Sequence, residues 1–366
     1  MKIDGPGGMT LRNSNRDSYT RCSVRLCALA CRILLLTISL SCVLHAGRGD
    51  KSGTSAAPEL LIPVGARSIA LGGASLATIT GVEAIYWNPA GLARSSPAFD
   101  LMVSHMSYLA DIGVNYFAAS RNFADVGSVG LAVKSLAIDD IPITTEDQPD
   151  GTGETTSPTF LVVGGAFSRR MSDKISVGIV ANLVFEQMAR VSARGISFSG
   201  GVQYTGLGGM EGLSFGAVVK NIGPGMKYDG PGLLRSANVI DALRSSSEIK
   251  IESATADLPS TIEIGLGYTA MIAASGRINV MSAFQNNNFS EDEYRFGGEY
   301  SFQDLFFVRA GYSFASEEEG REYIYGPTFG LGVHSMVENL AVSIDYAYRS
   351  VEYFSGNHVI ALNVGF

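Results

Sequence analysis

The sequence predicts an all-β protein: a closed, transmembrane, antiparallel barrel of about fourteen strands, preceded by a short N-terminal plug. Three observations lead there. From residue 98 onward the chain repeats segments of about ten residues in which large apolar side chains alternate with polar or small ones, the period-2 mark of strands with two unlike faces. The last such segment, 354–366, runs to the final residue, with Ile360, Leu362, Val364 and Phe366 on one side and Val359, Ala361, Asn363 and Gly365 on the other. A strand that reaches the chain end leaves an open edge, and pairing it with the first strand of a barrel removes that edge. Hydrophobic residues also make up 46% of the chain and charged ones only 17%, below the usual quarter, yet no later stretch approaches the roughly 20 apolar residues of a spanning helix.

Taken in order, residues 1–46 are an expected export segment. Arg12, Arg16, Arg21, Arg25 and Arg32 precede an apolar run over 33–44 that Thr37, Ser39 and Ser41 interrupt. The run is shorter than the roughly 20 residues of a membrane helix and fits a signal peptide cleaved after Ala46. The long basic stretch ahead of it leaves Met9 as an alternative start. Cys22, Cys27, Cys31 and Cys42 all fall inside this segment, which excludes a disulfide framework and a cysteine-held metal in the mature chain. Ser39-Leu40-Ser41 is a poor context for acylation of Cys42. Removing the segment takes away six Lys/Arg and two Asp/Glu and moves the net charge from −8 to −12, which argues against a nucleic-acid partner. The 43 glycines are spread through the alternating segments, unlike those of a disordered low-complexity chain.

A polar leader over 47–63 is followed by the most distinctive stretch, 64–97. It opens Val64-Gly65-Ala66-Arg67-Ser68-Ile69-Ala70-Leu71-Gly72-Gly73-Ala74 and continues to Glu83-Ala84-Ile85-Tyr86-Trp87-Asn88-Pro89-Ala90-Gly91-Leu92-Ala93. Gly72, Gly73 and Gly81 permit tight turns or close backbone approach. Asn88 is placed to cap a short helix beginning at Pro89, with Gly91 expected to end it soon after. No strand alternation runs through the stretch, so it is expected to be a compact filling outside the wall. Its layout resembles the N-terminal hatch of FadL-type outer-membrane proteins and is closest to the PorV/PorQ branch linked to type IX secretion, although Gly81-Val82-Glu83 stands where related proteins often carry a more acidic turn. The resemblance implies a segment folded inside or across the barrel, with Gly65, Ala66, Arg67, Gly72, Gly73, Trp87, Asn88, Pro89, Ala90 and Gly91 as its structural motif. Phe366 likewise resembles the C-terminal assembly signal of bacterial outer-membrane barrels, which implies delivery to that membrane.

Residues 98–366 are the expected wall. Tyr294, Phe296, Tyr300 and Phe302 alternate with Glu293, Arg295, Glu299 and Gln303, and Phe306, Val308, Tyr312 and Phe314 with Arg309, Gly311 and Ser313. Tyr325, Phe329, Leu331 and Val333 alternate with Gly326, Thr328, Gly330 and His334, and Leu340, Val342, Ile344, Tyr346 and Tyr348 with Ser343, Asp345 and Arg349. A soluble sandwich would turn the apolar face into a core, whereas a membrane barrel turns it to lipid. Two features favour lipid: rings near strand ends, as in interfacial girdles, and a polar face on which Arg295, Glu299, Arg309, Asp345 and Arg349 would neutralise one another across a lumen. Short turns are expected at Ser172-Asp173, Met336-Val337 and near Gln303-Asp304, and longer loops over 139–157, 223–256 and 315–322.

Chemistry-bearing motifs are sparse. The glycine-rich 206–212 lies between two strands, without the strand-to-helix context of a phosphate loop, and is expected to be a turn. Ser104-His105, His334 and His358 have no acid and nucleophile that the sequence can place beside them, so no catalytic residue is assigned. The acids of 139–154 and 317–319 lack EF-hand spacing and fit solvated loop charge. The chain is therefore expected to be a non-enzyme without a cofactor or metal, with outer-membrane lipid around it. The resemblance implies a component of type IX secretion that receives exported cargo proteins and passes them to surface attachment, with other secretion components as partners. The alternative is a FadL-like transporter of long-chain fatty acids or other hydrophobic small molecules. A conduit needs a continuous apolar pocket of a few hundred Å³, whereas a shuttle needs long outer loops and no such path. The polar inward residues favour the shuttle.

Overall fold

A computed structural model describes residues 53–237, 247–273, 276–315 and 322–366; the export segment with its four cysteines, and the loop acids 317–319, lie outside the described residues. The first seven barrel strands are β1 (Phe99–Ser107), β2 (Gly113–Asn122), β3 (Ser128–Ala137), β4 (Thr159–Arg170), β5 (Ile175–Met188), β6 (Val191–Thr205) and β7 (Leu213–Ile222). The remaining seven are β8 (Thr261–Ala273), β9 (Gly276–Asn287), β10 (Glu293–Phe302), β11 (Phe306–Ala315), β12 (Tyr325–Val337), β13 (Leu340–Val351) and β14 (Asn357–Gly365). Each pairs antiparallel with its neighbour in sequence, and β14 returns to β1 from Asp100↔Gly365 to Ser107↔His358, so the barrel is closed. At the seam Phe99 and Phe366 exchange both backbone hydrogen bonds, at 2.8 and 2.9 Å, and their rings stack at 5.1 Å.

The pleat sends the large apolar side chains outward. Val103, Phe117, Leu131, Ile179, Ile262, Val308, Phe329, Ile344 and Ile360 are all exposed on the outside of the wall. An apolar band carried by nearly every strand is far larger than water-facing surfaces tolerate and is the lipid face of a transmembrane barrel.

The chain ahead of β1 fills the interior with short helical turns at Pro58–Leu61, Ala66–Ala70, Ala74–Ala77, Ala84–Trp87 and Pro89–Arg94. Val64, Ile69, Ile79, Val82, Ile85, Trp87 and Leu92 pack on Met102, Met106, Val114 and Tyr116 of the wall. Contact is backbone to backbone in places, which is where the wall glycines belong. A Cβ added at Gly178, Gly201, Gly216, Gly297, Gly311 or Gly330 would overlap Pro89, Asn88, Leu76, Leu71, Gly72 or Ala70 respectively. Packing begins before residue 64: Ala56, Ala57 and Leu60, inside the polar leader, are buried with Val162, Val184, Met226 and Leu258.

Several local expectations are corrected. Tyr325 does not share the outward face of Phe329. Tyr325 pairs with Val351 and Thr328 with Arg349, so Gly326-Pro327 forms a bulge that turns Tyr325 into the lumen. Met336 and Val337 end β12, and the turn falls at Glu338, whose φ is +55°, and Asn339. The turn that starts at Pro89 does not stop near Gly91 but runs to Arg94. Short connections are not confined to one end of the barrel. All those at the end carrying Phe99 and Phe366 are short, but β5 and β6 at the opposite end are joined by residues 189–190 alone. The long 223–260 connection is itself folded, into the ribbons Met226–Lys227 with Thr255–Ala256 and Leu234–Ala237 with Ser247–Lys250, and is tied to β6 by the Ser192↔Asp229 bridge.

Two neighbours on β13 test the faces. Ile344 points outward, whereas Ser343 bonds Asn363 inside the barrel. Ile344→Arg is expected to cost about 2–4 kcal/mol in the apolar band and to deplete the heat-modifiable folded species on a gel, with Ser343→Arg tolerated. Greater loss from Ser343→Arg would invert the faces of this strand.

Candidate functional site: a plugged lumen with two chambers

The helical turn Ala66–Ala70 follows Gly65, whose φ of +84° no other residue adopts comfortably and whose missing Cβ leaves room for Glu83. Glu83 takes over the capping role that Gly65 cannot perform, accepting a hydrogen bond from the Ser68 amide at 3.0 Å. Burial pushes the Glu83 carboxyl up from the ordinary range, and Arg67 nearby opposes the shift. Thus fixed, Ala66 is buried and Arg67 reaches across the lumen to the wall.

Arg67 donates to Glu299 through Nε at 3.0 Å and Nη2 at 3.1 Å, a bidentate contact between plug and β10. Glu299 also accepts from Asn279 at 2.8 Å and from Arg309 Nε at 2.6 Å. Arg309, fully buried on β11, gives its Nη1 to Asp345 on β13 at 2.6 Å, and His334 of β12 stands 3.2 Å from the same Asp345 oxygen. Two guanidinium groups thus balance two carboxylates in one ladder. Burial works against the charge on Arg67, but the Glu299 carboxylate more than offsets it and raises the guanidinium's pKa.

The other motif residues pin the plug in place. Gly72 and Gly73, with φ of +63° and +79°, turn the chain in the left-handed region; a Cβ at Gly72 would overlap the Tyr312 backbone, and one at Gly73 would crowd the Trp87 ring. Trp87 donates from its indole to Val64 O at 3.0 Å and meets Tyr86 edge-on at 5.1 Å. Asn88 caps the turn at Pro89 by accepting from Ala90 N at 3.2 Å, while its Nδ2 donates to Leu76 O and to Val202 O of β6, both at 3.1 Å. Ala90 O accepts from Ser168 Oγ at 3.2 Å, and Gly91 lies against Ile79 O with no space for a Cβ.

Plug and ladder divide the lumen. On the long-loop side lies a cavity of about 600 Å³, floored by Ile69, Tyr86 and Trp87 and walled by Tyr108, Tyr323 and Tyr325. Its charged residues include Lys220, Glu263, Glu293, Arg295 and Arg349. Arg295 pairs with Glu293 at 2.8 Å and Glu263 at 3.5 Å, and Lys220 with Glu263 at 2.8 Å. Arg349 stands apart, its guanidinium 4.0 Å from the Tyr325 ring centre and bonded to Asn357. On the short-turn side a second cavity of about 440 Å³ is bounded by Glu83, Asp100, Arg277 and, from the ladder, Arg67, Glu299 and Asp345.

The five inward residues singled out from sequence therefore fall into three places: Glu299, Arg309 and Asp345 in the ladder, Arg295 in the acid–base cluster of the larger cavity, and Arg349 on Tyr325. Glu263 stands on the polar face opposite Ile262 and Ile264 and Tyr86 within the plug stretch, but neither was singled out as a site residue; Lys220 was not read at all, although the same alternation through β7 puts it on the lumen side. Also missed is a carboxyl pair at the plug's first turn. Glu186 accepts from Ala57 N at 3.0 Å and from the Tyr228 hydroxyl of the long loop, with Glu59 buried beside it. Ser104 and His105 form no catalytic pair, because adjacent strand residues face opposite ways. Ser104 is buried, while His105 points outward and bonds Asn115 at 2.8 Å.

No family model and no curated protein matches the chain. Solved structures match its fold. The monoaromatic hydrocarbon channel CymD has a TM-score of 0.52 and 14% identity, over 84% of this chain and 98% of that one. A Pseudomonas aeruginosa FadL homologue has a TM-score of 0.52 and 12% identity, over 84% and 98%. A TodX deltaS2S3 mutant monoaromatic hydrocarbon channel has a TM-score of 0.51 and 15% identity, over 83% and 98%. At these identities the likeness is one of fold.

Two predictions follow the geometry. Burial first, and the Glu186 carboxylate second, raise the Glu59 carboxyl from the ordinary 4.5 to about 8. A raised carboxyl pKa means the folded state favours the neutral form, so its contribution is complete below 4.5 and is lost as pH climbs toward 8. Protease access to residues 53–63 should accordingly increase between about pH 5 and about pH 9, and Glu59→Gln should flatten the rise; a pH-independent wild type would refute it. For the ladder, Glu299→Gln leaves Arg67 and Arg309 short of a carboxylate and should weaken plug docking by about 3–5 kcal/mol. The variant should remain heat-modifiable yet show larger openings in planar bilayers, and unchanged conductance would mean that the ladder does not hold the plug.

Proposed function

We propose that the protein is a plugged outer-membrane conduit, not an enzyme, that takes small hydrophobic or amphipathic organic molecules into its larger cavity from the cell exterior. The observation that carries this reading is that cavity. Its volume of about 600 Å³ falls within the range of small-molecule sites, and it sits at the long-loop end, which in such barrels faces outward. Tyr86, Trp87, Tyr108, Tyr323 and Tyr325 offer ring faces and edges to an apolar body, while Arg295, Lys220 and Arg349 leave it with mixed polarity. The fold-level likeness to structures described as hydrocarbon channels and a FadL homologue supports the same direction. Polar inward residues favoured a shuttle when read from sequence alone; the enclosed space that they and the plug surround favours a conduit.

The secretion role implied by the PorV/PorQ resemblance is the second reading. The folded 223–260 loop favours it, because a connection with two ribbons of its own is a surface that a protein cargo could engage.

The chain has a single tryptophan, Trp87, and it lies in the cavity floor, so its fluorescence reports on this site alone. Titrating the purified barrel with toluene, benzoate and a long-chain fatty acid should produce a saturable change in that emission with at least one of them. Absence of any saturable response, together with retention of an exported cargo protein on the immobilised barrel, would replace the conduit reading by the secretion one.

A further inference from the structure

A small cavity of about 40 Å³ lies where the plug meets the wall, beside Leu60, Ile85 and Tyr86. Asn182 and Asn221 line it with amides whose Nδ2 groups donate to Ser197 Oγ and Pro259 O; Tyr116 from β2, Lys134 from β3, Ser199 from β6 and Lys220 from β7 bring four further polar groups to it, and among the described residues no aspartate or glutamate lines it.

These four groups all have protons to give. An ammonium group only donates. Lys134 Nζ gives one bond to Ile62 O at 3.0 Å, Lys220 Nζ meets Glu263 at 2.8 Å, and each ammonium has further protons to place. The Tyr116 hydroxyl is buried without a partner among the described residues. Ser199 Oγ accepts from the Asn221 amide at 3.2 Å, which leaves its own proton free to point elsewhere. Lys134, Tyr116 and Lys220 are 5%, 5% and 7% exposed, so water outside the barrel does not serve them. The two ammonium groups flank one ring, 4.7 and 5.0 Å from the centre of Tyr86. Glu263 answers Lys220; Glu59 acts on Lys134 through space, but among the described residues no carboxylate comes within salt-bridge reach of Lys134. A buried cation in that position is costly unless something negative joins it.

We propose that the cavity holds a single small monovalent anion of halide size, which fastens the plug to strands β2, β3, β6 and β7. The volume admits one species about the size of a water molecule, whose share of the liquid is about 30 Å³, and is too small for a phosphate. A water accepts at two lone pairs only, whereas a spherical anion accepts from all four donors and supplies the missing negative charge. The site adjoins the larger cavity and shares Leu60, Tyr86, Lys220 and Asn221 with its lining, but Lys134 and Tyr116 line the small cavity alone, so a bromide response lost in Lys134→Met is read separately from solute binding.

Bromide is the probe. Crystals of the purified barrel soaked in sodium bromide should show an anomalous peak bounded by Lys134, Lys220 and Tyr116. In solution, bromide should raise the thermal midpoint saturably compared with gluconate at the same ionic strength. Lys134→Met should abolish that rise. Should Lys134→Met fail to assemble, Tyr116→Phe keeps the ring and removes one donor to the ion, and the half-saturating bromide concentration should increase about tenfold. A map with no anomalous peak in the cavity, showing water only, overturns the proposal, as does a bromide response in Tyr116→Phe equal to that of wild type.

Discussion

A barrel of about eight strands is filled by its own side chains, but one of fourteen encloses a space they cannot span. That width is the constraint on which the rest of the structure depends. The chain satisfies it with its own N-terminal segment, and the segment dictates what the wall can carry. Where plug backbone touches wall backbone the inward residue has to be glycine, as at Gly178 against Pro89 and Gly311 against Gly72. A strand interior normally loses stability to glycine. Here the same substitution that weakens a strand admits the plug, and so it recurs strand after strand on the lumen side.

Filling the space also settles the electrostatics. With lipid outside and a packed plug inside, inward charges cannot rely on bulk water, so most of them are answered by one another. Arg67, Glu299, Arg309 and Asp345 form a ladder whose net charge is zero, and Lys220, Glu263, Arg295 and Glu293 form a second balanced set. Taking charges out of water costs several kcal/mol per ion, and good geometry returns that cost without guaranteeing a surplus. What such a ladder contributes is position. Arg67 can meet Glu299 through two bonds in one register of plug and wall only, so the pairing selects that register over nearby alternatives.

Much of the barrel is legible in the sequence because its signal is local. Alternation in β10, β11 and β13 already separates Phe306 and Val308 from Arg309, and Ile344 from Asp345. The failures have local physical causes of another kind. At β12 the alternation is broken by an extra residue at Gly326-Pro327, where a residue without an amide proton sits naturally, and parity beyond the bulge reverses, carrying Tyr325 into the lumen. Gly91 is a helix terminator by propensity, but it is kept inside the turn because the plug needs closeness to Ile79 more than an ending. The cavity and the ladder are not local at all. Arg67 and Glu299 are separated by 232 positions in sequence, and nothing short of the closed topology brings them together.

The plug is not fastened evenly along its length, and the unevenness bears on how a solute could pass. Near its exit into β1 it is tied by neutral or simple contacts, Arg94 to Thr205 at 3.0 Å and Arg170 to Ala93 O at 2.8 Å. In its middle it is tied by the bidentate Arg67–Glu299 pair and by Asn88, which bonds plug and wall with one amide. At its first turn the fastening is of another kind: Glu186 accepts from Ala57 N and from the long-loop Tyr228 hydroxyl, with the Glu59 carboxyl buried beside it. Burial first, and the neighbouring Glu186 carboxylate second, disfavour the charged form of Glu59, so this attachment weakens when Glu59 ionises. It also borders the large cavity through Leu60 and Pro58. Loosening that begins at this turn enlarges the chamber that opens outward while Arg67–Glu299 still separates it from the short-turn side. On the conduit reading proposed above, a first turn that yields before the middle would let a molecule enter the barrel without opening a continuous path across the membrane.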